Sequence, residues 1–324
     1  MNLASFLDTV IEAPVVPSFT RLGYDARSRL DEWTDLDSYD LSGRVIVLTG
    51  ATSGIGKAAA LQLAQCGATL VLVGRTEEKN ASVAADIRAV SGNLSVSHMA
   101  ADMGDLDQVR DLAAHVLEAH DRLDVLIHNA GALTADRRTA PDGTEATVAS
   151  QVIGPFLLTG LLLDRLAASA PSRVLTMSSG GMYSAPLTLK KLEMSEADYN
   201  GTEQYARAKR AQVTLNQVWS ERFADRGISF HALHPGWADT PGVDASLPTF
   251  SKIVGPLLRT PAQGADTLVW LAADDAGTAT SGEFWHDRRT RSIHKLSRTR
   301  TSDTAERRHK LWTWVAERAN HEPA

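Results

Sequence analysis

From Gly43 onward, short β-branched and aliphatic runs alternate with longer stretches whose apolar positions recur at helical spacing. Runs unbroken by polar residues suit strands that are covered on both faces, whereas one-sided strands alternate. The pattern predicts strands over residues 44–49, 69–73, 94–99, 124–127, 173–176, 228–233 and 282–285. Helices are expected between them over residues 55–65, 77–90, 106–120, 148–168, 204–224 and 263–272. A strand reaches a parallel neighbour only through a crossover, so regular alternation of strand and helix implies an α/β domain with a parallel sheet and helices on both faces. The expected architecture is a single doubly wound sheet over residues 43–285.

Two flanks remain. Residues 1–42 carry Phe19, Tyr24 and Trp33 among acids and prolines, and are expected to fold back as a short helical arm, with peripheral lipid contact as the sharper alternative. Residues 286–324 form a C-terminal extension ending in an amphipathic helix over 305–319, where Trp312, Val315, Ala316 and Ala319 share a face suited to core packing or a subunit contact.

Composition narrows the function classes. With 324 residues, 43% of them hydrophobic, the chain can bury a large core, and its net charge of -6 gives no general attraction to nucleic acid or an anionic membrane. Cys66 is the single cysteine, which excludes an intrachain disulfide and suits a reducing, cytoplasmic setting. Asp8, Glu12, Pro14 and Pro17 interrupt the N-terminal apolar stretch, so no signal peptide is expected. The longest apolar run, residues 154–163, is shorter than a bilayer span, so no membrane helix is expected.

The first strand leads into Thr49-Gly-Ala-Thr-Ser-Gly-Ile-Gly56 and then a helix. Gly50, Gly54 and Gly56 permit a tight turn and close approach of a pyrophosphate, while Thr52, Ser53 and Ile55 complete the loop at a helix N-terminus whose free amides and dipole favour an anion. Nucleotide binding follows from that strand, turn and helix context. An acid at the end of the second strand would bind the ribose hydroxyls of NAD, but Arg75 stands there, and its guanidinium suits the extra phosphate of NADP(H). Asp102 and Met103 can cap the adenine pocket, and Asn129-Ala130-Gly131 presents a backbone of little bulk at the sheet's carboxyl edge.

Tyr205 and Lys209 lie four apart on a predicted helix, which puts phenol and ammonium on one face. A cation within about 6 Å favours the phenolate, so Lys209 is expected to lower the Tyr205 pKa.

Taken in order, Gly50-x-x-x-Gly54-x-Gly56, Asn129-Ala-Gly131, Ser178-Ser179, Tyr205-x-x-x-Lys209 and Pro235-Gly236 resemble the short-chain dehydrogenase/reductase family over about residues 43–285, a Rossmann-type scaffold. A narrower likeness within that family rests on residues 178–182, 234–243, 264–267 and the later Phe284-x-x-Asp287-Arg288. The resemblance implies that Tyr205 is the acid or base at the carbonyl oxygen, that Lys209 tunes it and bonds the nicotinamide ribose, and that Ser179, rather than Ser178, bonds the same oxygen. It further implies that Pro235, Gly236, Trp237 and Thr240 frame the nicotinamide, and that the protein forms a homo-oligomer through the helices over 148–168 and 204–224.

Two departures stand out. Gln151 occupies a helix bend where the family commonly has a relay asparagine, and His128 replaces an asparagine before Asn129 and reads as structural. The basic stretch 287–295, with His286 and His294 alongside it, reads as a solvated face, with an anion-holding role as the alternative; no spacing suggests a metal. Met182, Tyr183, Pro186, Leu187 and Leu189, with Val243, Leu247, Pro248, Phe250, Ile253 and Val254, are expected to line a pocket for a lipophilic carbonyl or alcohol. The expected activity is NADPH-dependent hydride transfer; the rival is a catalytically silent cofactor-binding regulator, which the Tyr205–Lys209 pair disfavours.

Overall fold

A computed structural model describes residues 8, 11–12, 15–239 and 254–324. Its sheet has eight strands in the order β3-β2-β1-β4-β5-β6-β7-β8. These are β1 Val45–Thr49, β2 Thr69–Gly74, β3 Val96–Ala100, β4 Val125–His128, β5 Ser172–Met177, β6 Ile228–Leu233, β7 Phe284–His286 and β8 Arg289–Thr290. β1 to β7 pair in parallel and β8 turns back against β7. Every residue of β1 is buried, while β3 at the sheet edge is only partly covered, which matches its mixed sequence. The chain winds outward from β1 to β3 and then crosses back to β4, so a switch point opens between β1 and β4 at their carboxyl ends.

The principal helices are α1 Arg21–Leu30, α2 Gly54–Gln65, α3 Glu77–Ser91, α4 Leu106–Ala119, α5 Ala146–Ala168, α6 Gly201–Arg222, α7 Pro261–Ala273 and α8 Ala305–Ala319. By length and composition α5 could cross a membrane, but it is mostly buried inside the protein and serves as a core helix. Its middle, Ala149–Ile153, is a π-helical segment. Gly154 follows because a Cβ there would come within 1.9 Å of the Met103 carbonyl oxygen.

The sheet's far end departs from expectation. Gly282 has φ +82° and acts as a turn residue, so β7 starts two residues later than its apolar pattern suggests. The domain edge expected at 285 cuts through β7, and the sheet continues to Thr290. Asp287 and Arg288 both have φ +53° and form the two-residue link to β8, where a hairpin with native twist needs positive φ at both positions.

Both flanks are packed into the domain. Phe19 is buried with Met182, Tyr183, Val213, Ala232, Phe284 and Ile293. The Tyr24 hydroxyl donates to Asp266 at 3.1 Å, and Trp33 lies edge-on to Tyr24 and beneath the Arg288 guanidinium. The aromatic residues that suggested lipid contact are therefore engaged by protein. At the other end, Trp312 of α8 meets Phe156 of α5 and Trp219 of α6, each with ring centroids 4.8 Å apart. Gly160 of α5 is covered in turn by His321, whose ring would lie 2.5 Å from a Cβ there. The helices expected to pair subunits thus carry the chain's own tail where Trp312 and His321 pack on them.

The basic side chains of this run are ion-paired, with exposure ranging from 6% at Arg288 to 27% at Lys295. Arg288 binds Asp266, Arg289 binds Asp31, Arg291 binds Asp8 and Lys295 binds Glu12.

Candidate active site

The glycine loop connects β1 to α2 at the switch point. Gly50 has φ +69°, and a Cβ on it would stand 2.7 Å from Ala130 Cα; on Gly56 it would stand 2.1 Å from the Gly50 carbonyl oxygen. Only glycine allows these contacts. Ser53 makes no side-chain cap to α2 and the first turn carries no acid, so the amides at that N-terminus are available to a phosphate. Thr52 and Ile55 are half-buried beside the loop, and Ser53 is exposed.

Asn129 has a structural part that the sequence did not show. Its Nδ2 donates to the carbonyls of Thr49 and Gly50 at 3.2 and 3.1 Å, so the amide holds the glycine loop. Thr49, which sequence reading missed, accepts from the amides of Asn129 and Ala130 and donates to Ile127, tying β1 to β4. Ala130 is half-buried and Gly131 exposed, leaving slim backbone at the cleft. Asp102 accepts from the Gly104 amide at 2.9 Å and keeps part of its surface open, but the Met103 side chain is 3% exposed and belongs to the core. Met103 can therefore offer a cofactor only its backbone.

At the end of β2, Arg75 is exposed. The adjacent Asn80 is fully buried and donates to the carbonyls of Gly74 and Met99, which shapes this strand end; its polar side chain on a helix face gave the sequence reading no signal.

Three side chains meet at the cleft's other side. Tyr205 is half-buried on α6, and Ser179 follows β5. Burial pushes the Tyr205 phenol up to about 12, although its hydrogen bond with Ser179 pulls the other way. Lys209 is 2% exposed, its Nζ lies 5.2 Å from the Tyr205 ring centre, and it donates to the Met177 carbonyl at 2.9 Å. Burial pushes the Lys209 amine down to about 7. The net shift of the phenol is upward, against the lowering expected from the sequence, because loss of water disfavours the charged form of both groups. Ser178 is buried and donates to the Lys209 carbonyl at 3.1 Å, which makes it the pin between β5 and α6 and leaves Ser179 at the phenol.

Gln151, in the π-helical segment of α5, donates to the Ala132 carbonyl at 2.8 Å, while its own main-chain carbonyl accepts from Gln212 at 2.7 Å. Gly131 lies between it and Lys209: a Cβ there would be 3.1 Å from Gln151 Oε1 and 3.4 Å from Lys209 Nζ. Gln151 Oε1 is buried without a hydrogen-bond partner. His128 meets Thr159 at 2.7 Å, and burial holds it neutral, down at about 3, in keeping with a structural role.

Pro235, Gly236 and Trp237 follow β6 and are half-buried; Thr240 lies outside the described residues, as do Val243, Leu247, Pro248, Phe250 and Ile253. Met182, Tyr183 and Leu187, expected to line a pocket, are instead buried in the core. Pro186 and Leu189 remain partly exposed.

A short chain dehydrogenase family profile matches residues 44–249. The chain belongs to that family. Human dehydrogenase/reductase SDR family member 12 is 37% identical over 289 residues, covering 89% of this chain and 90% of the relative. Human retinol dehydrogenase 13 is 35% identical over 255 residues, covering 76% of each. Among solved structures, an uncharacterised protein from Mycobacterium paratuberculosis superposes with a TM-score of 0.71 at 25% identity, covering 90% of this chain and 99% of that one. A short chain dehydrogenase from Escherichia coli complexed with NADPH gives a TM-score of 0.64 at 26% identity, covering 79% and 100%. As a short chain dehydrogenase, the chain is a nicotinamide-dependent oxidoreductase acting on CH–OH or C=O groups. The glycine cradle and uncapped helix N-terminus fit such a cofactor, because side-chain bulk is missing where a pyrophosphate must approach.

Proposed function

We propose that this protein is an NADPH-dependent carbonyl reductase for lipophilic aldehydes or ketones. The observation that carries the cofactor choice is Arg75, an exposed guanidinium at the end of β2 where an NAD site needs an acid. A planar fork of N–H donors gains from a phosphate and little from ribose hydroxyls. The lipophilic substrate is supported by kinship to a retinol dehydrogenase and by the partly exposed Trp237, Pro186 and Leu189.

The bound cofactor would supply hydride to the carbonyl carbon. Tyr205 would protonate the oxygen, and a phenol near 12 holds its proton at neutral pH, as an acid must. Ser179 would donate a hydrogen bond to the same oxygen as negative charge grows there. Lys209, fixed by the Met177 carbonyl, would hold the ribose and favour the phenolate left after transfer. Gln151 would keep an amide beside Lys209 for proton return. Cytoplasmic residence belongs to the same proposal.

Fluorescence titration with NADPH and NADH tests the cofactor reading. Arg75→Asp is expected to weaken NADPH binding by about 2–3 kcal/mol, a charge-assisted pair lost, and to improve NADH binding. Equal affinities for the two cofactors in the wild type would refute it. NADPH oxidation over a panel of hydrophobic carbonyls should vanish in Tyr205→Phe; persistence would remove the proposed acid.

A further inference from the structure

The N-terminal arm reaches the rim of the active site. Residues 18–20 run between the turn after β5, which begins at Ser179, and the loop after β6, which carries Pro235, Gly236 and Trp237. The Trp237 amide donates to the Phe19 carbonyl at 2.7 Å. The Phe19 ring lies edge-on to Trp237 at 5.7 Å and to His234 at 4.5 Å. On its other side a Cβ at Gly180 would come within 2.5 Å of Phe19 Cε2, so Gly180, next to Ser179, is shaped around this ring.

The segment is held unusually firmly. Arg27 and Arg259 both donate to the Ser18 carbonyl, at 3.1 and 3.0 Å, and Arg259 donates to the Thr20 carbonyl at 3.2 Å. Both arginines converge on Asp287, at 2.6 and 2.5 Å, and Arg259 also donates to the Pro235 carbonyl at 3.2 Å. These three charged side chains are at most 1% exposed. Ion pairs this deep add little net stability, because desolvation offsets most of their attraction. Their geometric effect is definite: one cluster fixes the arm and the loop after β6 together.

We propose that the arm is a positioning element of the active site, in which Phe19, wedged between Gly180 and Trp237, sets the spacing of the Ser179 hydroxyl from the loop that would frame the nicotinamide. Phe19 acts through these neighbours and need not touch substrate. The inference rests on the reductase reading above.

The test uses the full-length protein with NADPH and decanal or benzil as probes. Phe19→Ala is expected to lower kcat between about ten- and a hundredfold, as for reacting groups misplaced by about 1 Å, while the NADPH Kd stays within about twofold. Phe19→Leu should recover most of the loss. Because Phe19→Ala opens a buried cavity and can prevent folding, Gly180→Ala provides a second route. Its new methyl should lower kcat by a similar factor, and Phe19→Leu added to it should raise kcat above the Gly180→Ala value. Unchanged kcat in folded Phe19→Ala, or strictly additive losses in the pair, would overturn the positioning role. Lack of turnover of either probe and of the wider carbonyl panel by the wild type would overturn the reductase reading and this inference with it, whereas wild-type turnover with indifferent variants sinks this inference alone.

Discussion

Replacing Lys209 with methionine should stabilise the protein at neutral pH while removing a group the chemistry needs. Lys209 is 2% exposed, its hydrogen bond goes to a neutral carbonyl, and among the described residues no carboxylate pairs with it. Burial takes its pKa from 10.5 to about 7. Between those values the unfolded chain binds the proton and the folded chain does not, so stability rises with pH across this window and the charged form is penalised below it. The slope steepens as the folded amine loses its proton while the unfolded one keeps it, toward the full value of one proton per molecule. Summed from pH 7 to pH 9, the wild type should gain about 2 kcal/mol from this residue, which Lys209→Met lacks. At pH 7 the methionine removes a penalty of roughly 4 kcal/mol and leaves the Met177 carbonyl unpaired at about 1–3 kcal/mol, a net gain of roughly 1–3 kcal/mol. Urea unfolding of both proteins at the two pH values, followed by tryptophan fluorescence, measures the difference, and groups common to both cancel. Parallel stability–pH curves, or a variant less stable than wild type at pH 7, would refute the assignment.

Two further outcomes follow from the flanks. Asp287→Ala leaves the buried Arg27 and Arg259 facing each other without their shared carboxylate, and should destabilise by about 3–5 kcal/mol, read as a fall in the urea midpoint; an unchanged midpoint would show that the cluster tolerates its loss. Deleting residues 304–324 should bare Phe156, Trp219 and Phe223 and cause concentration-dependent association in light scattering, whereas a monomeric truncation product would mean that the tail covers nothing consequential.

The first six strands and their helices were legible because buried parallel strands and amphipathic helices announce themselves in apolar spacing. The glycine loop was legible for a related reason, since Gly50 and Gly56 sit where only a missing Cβ fits. What local pattern could not convey was the partner of each polar group. Arg27 and Asp287 are 260 positions apart, and Arg291 meets Asp8 across 283, so a run of arginines that resembles a solvated face is tied by ion pairs to the distant N-terminal arm. The structural task of Asn129 was not legible, because the carbonyls it binds belong to the end of β1 and the start of the glycine loop, 80 and 79 positions earlier. Met182, Tyr183 and Leu187 were apolar and near the site, but apolar character alone does not separate pocket wall from core.

The tail bears on assembly as well as stability. The helices that commonly pair subunits in this family are α5 and α6, and here Trp312 stands against Phe156 and Trp219 while Trp219 also stacks on Phe230 at 5.7 Å. The Trp312 indole donates to Glu322 at 2.8 Å, Arg222 of α6 lies 4.2 Å from the Trp312 ring centre, and Arg110 of α4 holds the Ala319 carbonyl at 2.8 Å. A second copy docking on that face would first have to displace α8 and expose a fully buried tryptophan, at a cost of roughly 3–5 kcal/mol if the loss resembles truncation of a core Trp. A dimer through α5 and α6 must recover that free energy before it gains any affinity, so association of the intact chain is expected to use another surface.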